Sequence, residues 1–454
     1  MPPEKRAVPP SDDVEGGERE PGVAAGSPQS TSHGLVAHLF RRESGRIVAA
    51  LTRVFGPQNL GLAEDVVQDT LLEALRRWPF DGVPARPAAW LYQVARRKAL
   101  DVLRRAQTFR RLEPVLSDTL AGTGDGRPSR ALLAFEREIA DDVLRMMFTC
   151  CHPALPLESQ VALTLKILAG FGVSEIARAL LVSEAAIERR LSRAKQRIRQ
   201  AGVPFEVPAG PDLGPRLDAV VSVLYLMFNE GYQTSGAGAA EAPIRRDVCL
   251  EAMRLCRLLV AQPVTDRPQV SALLALMCFH AARFDARVDG EGHLRLLQDQ
   301  DRHCWDRGLI AEGLRWLARS ATGEQLTPLH LEAGIAAAHC QAESYGVTDW
   351  PTILRLYDLL VGLGPSPVFV LNRAIALAEV QGPQVGLDAL EALVASGALA
   401  HYHLLPATVG ELHLRLGDRA TAARHLAVAL TLAPSPAERH LIREKLAACG
   451  TTPP

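Results

Sequence analysis

The sequence predicts an all-α protein, and three observations carry that prediction. Ala and Leu dominate wherever the pattern is regular, while aromatics make up only 5% of the 454 residues. Such unbranched residues lose little conformational freedom in a helix. Apolar positions recur at helical spacing rather than in strand-like alternation. Prolines fall at segment edges, with Pro87 at a helix start and Pro204, Pro208, Pro211 and Pro215 between blocks. A hydrophobic share of 48% beside 22% charged residues supports a sizeable core, and the length calls for two or three domains.

Residues 1–33 are rich in Pro, Gly, Ser and Glu and read as a disordered tail. Residues 34–106 hold three helices. The first runs near Leu35 to Phe55 and the second near Leu60 to Trp78. The third starts after Pro87 and continues past Leu103. Leu62, Val66, Leu71, Leu72 and Leu75 are candidates for the buried face of the second. Residues 107–135, with the stretch SDTLAGTGDGRPS, form a linker. Residues 136–203 make a second helical block, and 204–454 a helical extension.

Within the extension, Pro406 to Pro434 carries small residues at Gly410, Ala422 and Ala429, a turn at Gly417 and an apolar Leu426. That spacing matches a tetratricopeptide-type helix pair, whose small residues let two helices approach closely. A weaker copy spans Leu371 to Leu393, with Ala374, Gly386 and Leu390 at the matching places.

The segment GFGVSEIARALLVSEAAIERRLSRAKQRIR reads as a helix-turn-helix. Ser174 is the expected cap of a helix Glu175 to Leu181. Val182 and Ser183 make the turn, and Ser183 caps a second helix from Glu184 to Arg199. Ile176, Ala177, Leu180, Ile187, Leu191 and Ile198 form the core contacts. Arg189, Arg190, Arg193, Lys195, Arg197 and Arg199 lie on the second helix, where they suit phosphates and guanine edges. The earlier block is complementary. Glu64, Asp65, Gln68, Asp69 and Glu73 stand on one helix, and Trp90, Tyr92, Arg96, Arg97, Lys98, Arg104 and Arg105 on the next. Aromatic and basic residues interleaved in this way suit unstacked bases, although Trp90 also reads as a core anchor.

A net charge of −1 gives no overall nucleic-acid signature; the segregation of charge does. No apolar run is long enough to span a bilayer, and the N-terminus lacks a signal-peptide stretch, so a cytoplasmic protein without a membrane partner is expected. Cys150, Cys151 and His152 sit together, but with no second ligand pair at zinc-finger spacing they read as packing residues. The chain holds no P-loop, G-x-S-x-G or HExxH, and His280 and His293 flank acidic residues without a convergent catalytic set. No catalytic residue, metal or cofactor is expected.

DVVQDTLLEAL followed by PAAWLYQVARRKALDVLRR resembles the second conserved region of extracytoplasmic-function sigma factors. DDVLRMMFTCCHPALPLESQ through RAKQRI resembles their fourth region. FNEGY, DQDRHCWDR, TDWPTILRLYDLL and APSPAERHL resemble the extension of a subgroup whose C-terminal domain is similar to tetratricopeptide repeats. The resemblance implies promoter-specific initiation with RNA polymerase core, through the β′ clamp and β flap, on promoter DNA. It implies polymerase contacts at Asp65, Gln68, Asp69 and Leu72. For the −10 element it implies Trp90, Gln93, Arg96, Arg97, Lys98, Asp101, Arg104 and Arg105. The family often has Asn where Arg97 stands, a departure that bears on −10 base preference. For the −35 element the set is Ser183, Glu184, Ala185, Glu188, Arg189, Arg190, Ser192, Arg193, Lys195 and Arg197. The extension is expected to be regulatory and to receive a protein regulator.

Two other readings start from the same residues. One is a one-component regulator whose helical domain senses a ligand; the other is a scaffold that recruits a protein through its repeats. The acidic helix ahead of the basic one disfavours the first. Glu230, Asp299, Asp301, Arg302 and Asp306, polar among apolar helices, read as a buried ion-pair network or as a ligand contact.

Overall fold

The chain is helical because each segment pairs one apolar face with local end signals. The structure, a computed structural model, describes residues 28–105, 141–180, 182–232 and 244–450. The stretch before residue 28 and the expected linker over 107–135 lie outside them. Helix α1 is Pro28–Phe55, α2 Leu60–Asp81 and α3 Pro87–Arg105. α1 starts at Pro28 rather than near Leu35, so part of the expected tail is helical. Composition registers polarity, and a helical turn carries polar residues as readily as apolar ones.

The buried face of α2 differs from the one expected. Leu60, Ala63, Val66, Val67, Thr70, Ala74 and Trp78 are buried, whereas Leu72 and Leu75 are exposed and Leu62 and Leu71 are half-buried. Apolar residues surround this helix. The packed stripe is the one whose small members, Ala63 and Ala74, let neighbouring helices come close.

Residues 141–150 form a helical segment, α4, followed by α5 Leu157–Ile167, α6 Val173–Ala179 and α7 Glu184–Ala201. Phe148, Phe171, Ile176, Ile187 and Ile198 are their core. Cys150 and Cys151 are buried within it, and the Cys151 Sγ lies 3.7 Å from Thr164 Oγ1. Burial pushes the Cys151 thiol up to about 12, and His152 Nδ1 accepts from the Ala154 N–H. Both cysteines pack within this core.

The extension continues with α8 Leu213–Tyr232, α9 Arg246–Ala261, α10 Pro268–Ala281, α11 Arg307–Ser320 and α12 Pro328–Gln341. α10 is buried along almost its whole length and anchors this part. Helices α13 Trp350–Leu363, α14 Pro367–Gln381, α15 Pro383–Ser396, α16 Leu404–Arg415, α17 Arg419–Leu432 and α18 Pro436–Ala448 then pack in chain order. The small residues picked out by spacing stand where these helices touch. A Cβ on Gly410 would come within 3.1 Å of the Ala422 carbonyl, and one on Gly386 within 3.1 Å of the Ala374 carbonyl. Ala422, Leu426 and Ala429 are fully buried. Among the described residues, the β-structure is one isolated bridge, Val288 to Leu294. The fold is all-α.

The first two helical blocks pack directly on each other. A Cβ on Gly45 of α1 would lie 2.3 Å from the Leu168 carbonyl oxygen, so only glycine fits this crossing. Arg53 reaches Asp142 at 3.4 Å, and Arg145 holds the same carboxylate at 2.8 Å. Asp142 is almost wholly buried, and burial pushes its carboxyl up to about 6 against the pull of both guanidiniums. A carboxyl raised in the folded state adds stability at low pH that is lost as pH rises through about 6. The loss is on the order of 3 kcal/mol, at 1.36 kcal/mol per unit. Asp142→Asn is therefore expected to flatten the decline in melting temperature between roughly pH 3.8 and 6. Parallel profiles for wild type and variant would sink this account.

Among the described residues, side chains of the extension reach back to the second block. Arg216 donates to the Phe148 carbonyl at 2.7 Å, Arg245 to the Glu175 carbonyl at 3.2 Å, and Gln262 to Asp141 at 3.2 Å.

Candidate nucleic-acid and polymerase interface

Helix periodicity sorts the expected contacts onto outward faces. On α2, Asp65, Gln68, Asp69 and Leu72 are all exposed at i, i+3, i+4 and i+7, which is one face. Glu64, one position earlier, turns inward and is buried. Glu73 faces α3, where Lys98 meets it at 3.0 Å and Arg97 at 3.5 Å, while Arg77 of its own helix lies at 3.1 Å. The Lys98 hydrogen bond, aided by all three cations, holds the Glu73 carboxyl below the usual range.

On α3, Trp90 is half-buried and meets Trp78 edge-on at 5.6 Å. One edge anchors it, and the rest lines an open groove of about 490 Å³. Gln93, Arg96, Arg97 and Asp101 line the same groove, with Arg77, Val94 and Leu100. Five of the eight expected −10 residues thus share one concavity. Lys98 turns to Glu73 instead, and the side chains of Arg104 and Arg105 lie outside the described part. Arg77 was missed by sequence reasoning. Its position four residues after Glu73 was the available signal.

The helix-turn-helix forms with one change at its start. α6 begins at Val173, so Ser174 lies inside the helix instead of capping it. Glu175 supplies the local bond, accepting from the Gly172 N–H at 2.6 Å. A carboxylate at the third helical position can reach back to the free N–H ahead of the helix. The expected helix end at Leu181 lies outside the described residues. Ser183 does cap α7, its Oγ accepting from the Ala186 N–H. Ile187, Leu191, Ala194 and Ile198 bury one face of α7. Ser183, Glu184, Ala185, Glu188, Arg189, Ser192, Arg193 and Arg197 are exposed, and Arg190 is half-buried. Lys195 departs from the set, since its Nζ lies 2.5 Å from the Glu64 carboxylate on α2. Arg199 reaches the Gln58 carbonyl at 3.4 Å.

His280 and His293 do not converge. His280 sits beside Phe228 and Tyr232, and His293 stacks on His440 at 3.9 Å. The polar residues of the extension motifs are not an ion-pair network either. Asp301 accepts from the His303 N–H and Asp306 from the Leu309 N–H as local caps, Asp299 is exposed, and burial raises the half-buried Glu230 carboxyl against the pull of Arg245.

Residues 39–109 match the family of sigma-70 region 2, and residues 145–198 match sigma-70 region 4. The ECF RNA polymerase sigma factor SigL of Mycobacterium tuberculosis is 33% identical over 139 residues, which cover 30% of this chain and 72% of that protein. The chain belongs to the ECF RNA polymerase sigma factors. The probable RNA polymerase sigma factor RfaY of Xanthomonas campestris is 31% identical over 180 residues, covering 39% of this chain and 42% of that protein. An uncharacterised protein of Rhizobium meliloti is 39% identical over 399 residues, covering 88% of this chain and 92% of its own length. Residues 216–321 match a family of unknown function (DUF6596). This sigma factor therefore joins regions 2 and 4 to a large helical C-terminal part, and acts in transcription initiation with polymerase core and promoter DNA. A sigma factor regulates transcription and is not itself an enzyme. Among the described residues no helix is long and apolar enough to cross a membrane.

Proposed function

We propose that this sigma factor reads a −35 element with α7 and a −10 element with α3, and docks on polymerase core through α2 and region 4. The observation that carries the reading is the groove on α3, where Trp90, Gln93, Arg96, Arg97 and Asp101 meet in about 490 Å³. Bases extruded from the −10 duplex stack on Trp90 there, with Arg96 and Arg97 on the backbone. Trapping them offsets the few kcal/mol lost on unstacking. Asp65, Gln68, Asp69 and Leu72 meet the β′ clamp, and region 4 meets the β flap. The work takes place in the cytoplasm, and polymerase supplies the chemistry.

The extension, a tetratricopeptide-like domain, acts as regulator and receives a protein partner. Supporting this are the bonds from Arg216, Arg245 and Gln262 to region 4, which make its helices answerable to the extension. We divide the chain into region 2 over 34–106, region 4 over 136–203 and the extension over 204–454, with α1 reaching back from region 2 to Pro28.

Reconstituted holoenzyme tests the reading by footprinting and run-off transcription. Arg189→Ala or Arg193→Ala is expected to weaken −35 binding by about 1–3 kcal/mol for a bidentate guanine contact. Lys195→Ala, already engaged by Glu64, is expected to cost less. Equal losses at all three positions would point to a diffuse charge effect. A holoenzyme without promoter-dependent transcript overturns the assignment of both elements.

A further inference from the structure

The extension concentrates positive charge in one place without the carboxylates that would balance it. Arg302, from the DQDRHCWDR motif, is 6% exposed. Its guanidinium donates to the carbonyls of His339 at 2.5 Å and Ala342 at 2.7 Å and to Thr348 Oγ1 at 3.3 Å. It also lies over the Trp305 ring at 4.7 Å. Arg283 lies over the same ring at 5.4 Å and bonds Gln300. Arg287 lies 3.8 Å over the ring of Tyr232, the last residue of FNEGY, and Tyr232 packs on His280 at 4.9 Å. No carboxylate stands within ion-pair distance of Arg283, Arg287 or Arg302 among the described residues. Asp285, next to this cluster in sequence, is taken by Arg246.

Burying guanidinium charge without a counter-charge costs several kcal/mol per ion. Neutral acceptors satisfy the N–H groups of Arg302 but leave its charge. Three buried ring nitrogens in the same cluster, His280 Nδ1, His339 Nδ1 and Trp305 Nε1, have no hydrogen-bond partner. Indole N–H only donates, and an imidazole Nδ1 donates in one tautomer. The buried Tyr232 hydroxyl is likewise without a partner, so the cluster holds several polar groups that no neighbour satisfies. The potential is visible in the titrating groups. Burial, reinforced by Arg283 and Arg287, takes His280 down to about 3. Burial, with Arg283 and Arg302, takes His339 to about 3 as well. Burial alone would push the Tyr232 phenol up, yet Arg283 and Arg287 bring it below its ordinary value. Arg283, Arg287, Tyr232 and His280 are only half-buried, which leaves one side open to solvent.

We propose that the cluster of Arg283, Arg287 and Arg302 around Tyr232 and Trp305 is a binding site for a small phosphate-bearing molecule. Three guanidiniums match a multiply charged anion, and their planar fork suits phosphate oxygens. The proposal is independent of promoter recognition and gives the FNEGY and DQDRHCWDR motifs a joint purpose.

The test titrates the full chain with pyrophosphate, against sodium chloride at matched ionic strength, following melting temperature and tryptophan fluorescence. A saturable rise in melting temperature is expected, since a ligand of the folded state stabilises it by mass action. Arg287→Gln and Arg283→Gln, both at the open side, are expected to weaken binding by about tenfold or more, as for loss of a charge-assisted bond. Trp305→Phe should remove the fluorescence change and keep the thermal shift, and Arg193→Gln on α7 should alter neither. A response no larger than that to chloride overturns the proposal. So does a response that survives both cluster variants or disappears with Arg193→Gln, which would put the anion on the DNA-binding helix. Citrate saturating as tightly as pyrophosphate would overturn the assignment to phosphate.

Discussion

Replacing Asp65, Asp69 and Leu72 together by alanine is expected to lower affinity for polymerase core by more than about a hundredfold, with the melting temperature unchanged. Truncating interface residues at a hot spot costs about 2 kcal/mol or more each, and about 3 kcal/mol already corresponds to that factor. The three side chains share one outward face of α2, and Leu72 is 49% exposed, so none contributes to the core. Neither Asp65 nor Asp69 has a cationic partner among the described residues, so both carboxylates are free to meet basic groups of a partner. Glu73 provides the internal control, because Lys98, Arg97 and Arg77 already engage it. Glu73→Ala is expected to loosen α2 from α3 rather than abolish docking. Native gel shift or interferometry with purified core reads the affinity. A triple variant that binds as wild type removes α2 from the interface.

Phe148→Ala is expected to destabilise region 4 by about 3–5 kcal/mol, the usual cost of truncating a fully buried phenylalanine. Phe148 has no exposed surface. Its ring lies 6.0 Å from the Arg216 guanidinium, and its carbonyl accepts from the same group at 2.7 Å. The cavity therefore opens at the joint through which the extension holds region 4. The calorimetric transition containing region 4 should move down, and run-off transcription should fall with it. Phe148→Leu should restore most of both. An unchanged transition would mean that α4 is not the joint, and restored stability without restored transcription would separate packing from regulation.

How much of this was legible in the sequence depended on whether the cause was local. Pro87 and Ser183 announced helix starts because a cap acts on its own first turn. Gly410 and Ala422 announced a helix crossing because a close approach admits little else. The packed face of α2 was not legible. Leu72 and Leu75 are as apolar as the residues beneath them, and tertiary packing selected the stripe with Ala63 and Ala74. The cap expected at Ser174 does not form, because the helix begins one residue earlier, at Val173, and Glu175 reaches back to the Gly172 N–H. Lys195 read as a DNA contact because its partner, Glu64, lies more than a hundred residues earlier. Arg302 read as a member of an ion-pair network, although carbonyls at the end of α12 satisfy its donors. For Lys195 and Arg302 the deciding partner was distant in sequence and of ordinary residue type.

The Glu64–Lys195 pair also bears on how promoter binding responds to salt. DNA affinity falls with salt because each cation placed on a phosphate frees about 0.9 condensed counterion. Glu64 already holds Lys195, so moving that lysine to a phosphate exchanges one fixed anion for another. On the proposed −35 reading, Lys195 kept on Glu64 neutralises no phosphate and releases no counterion. On the same reading the exposed arginines at 189, 193 and 197 are expected to carry the salt dependence in its place.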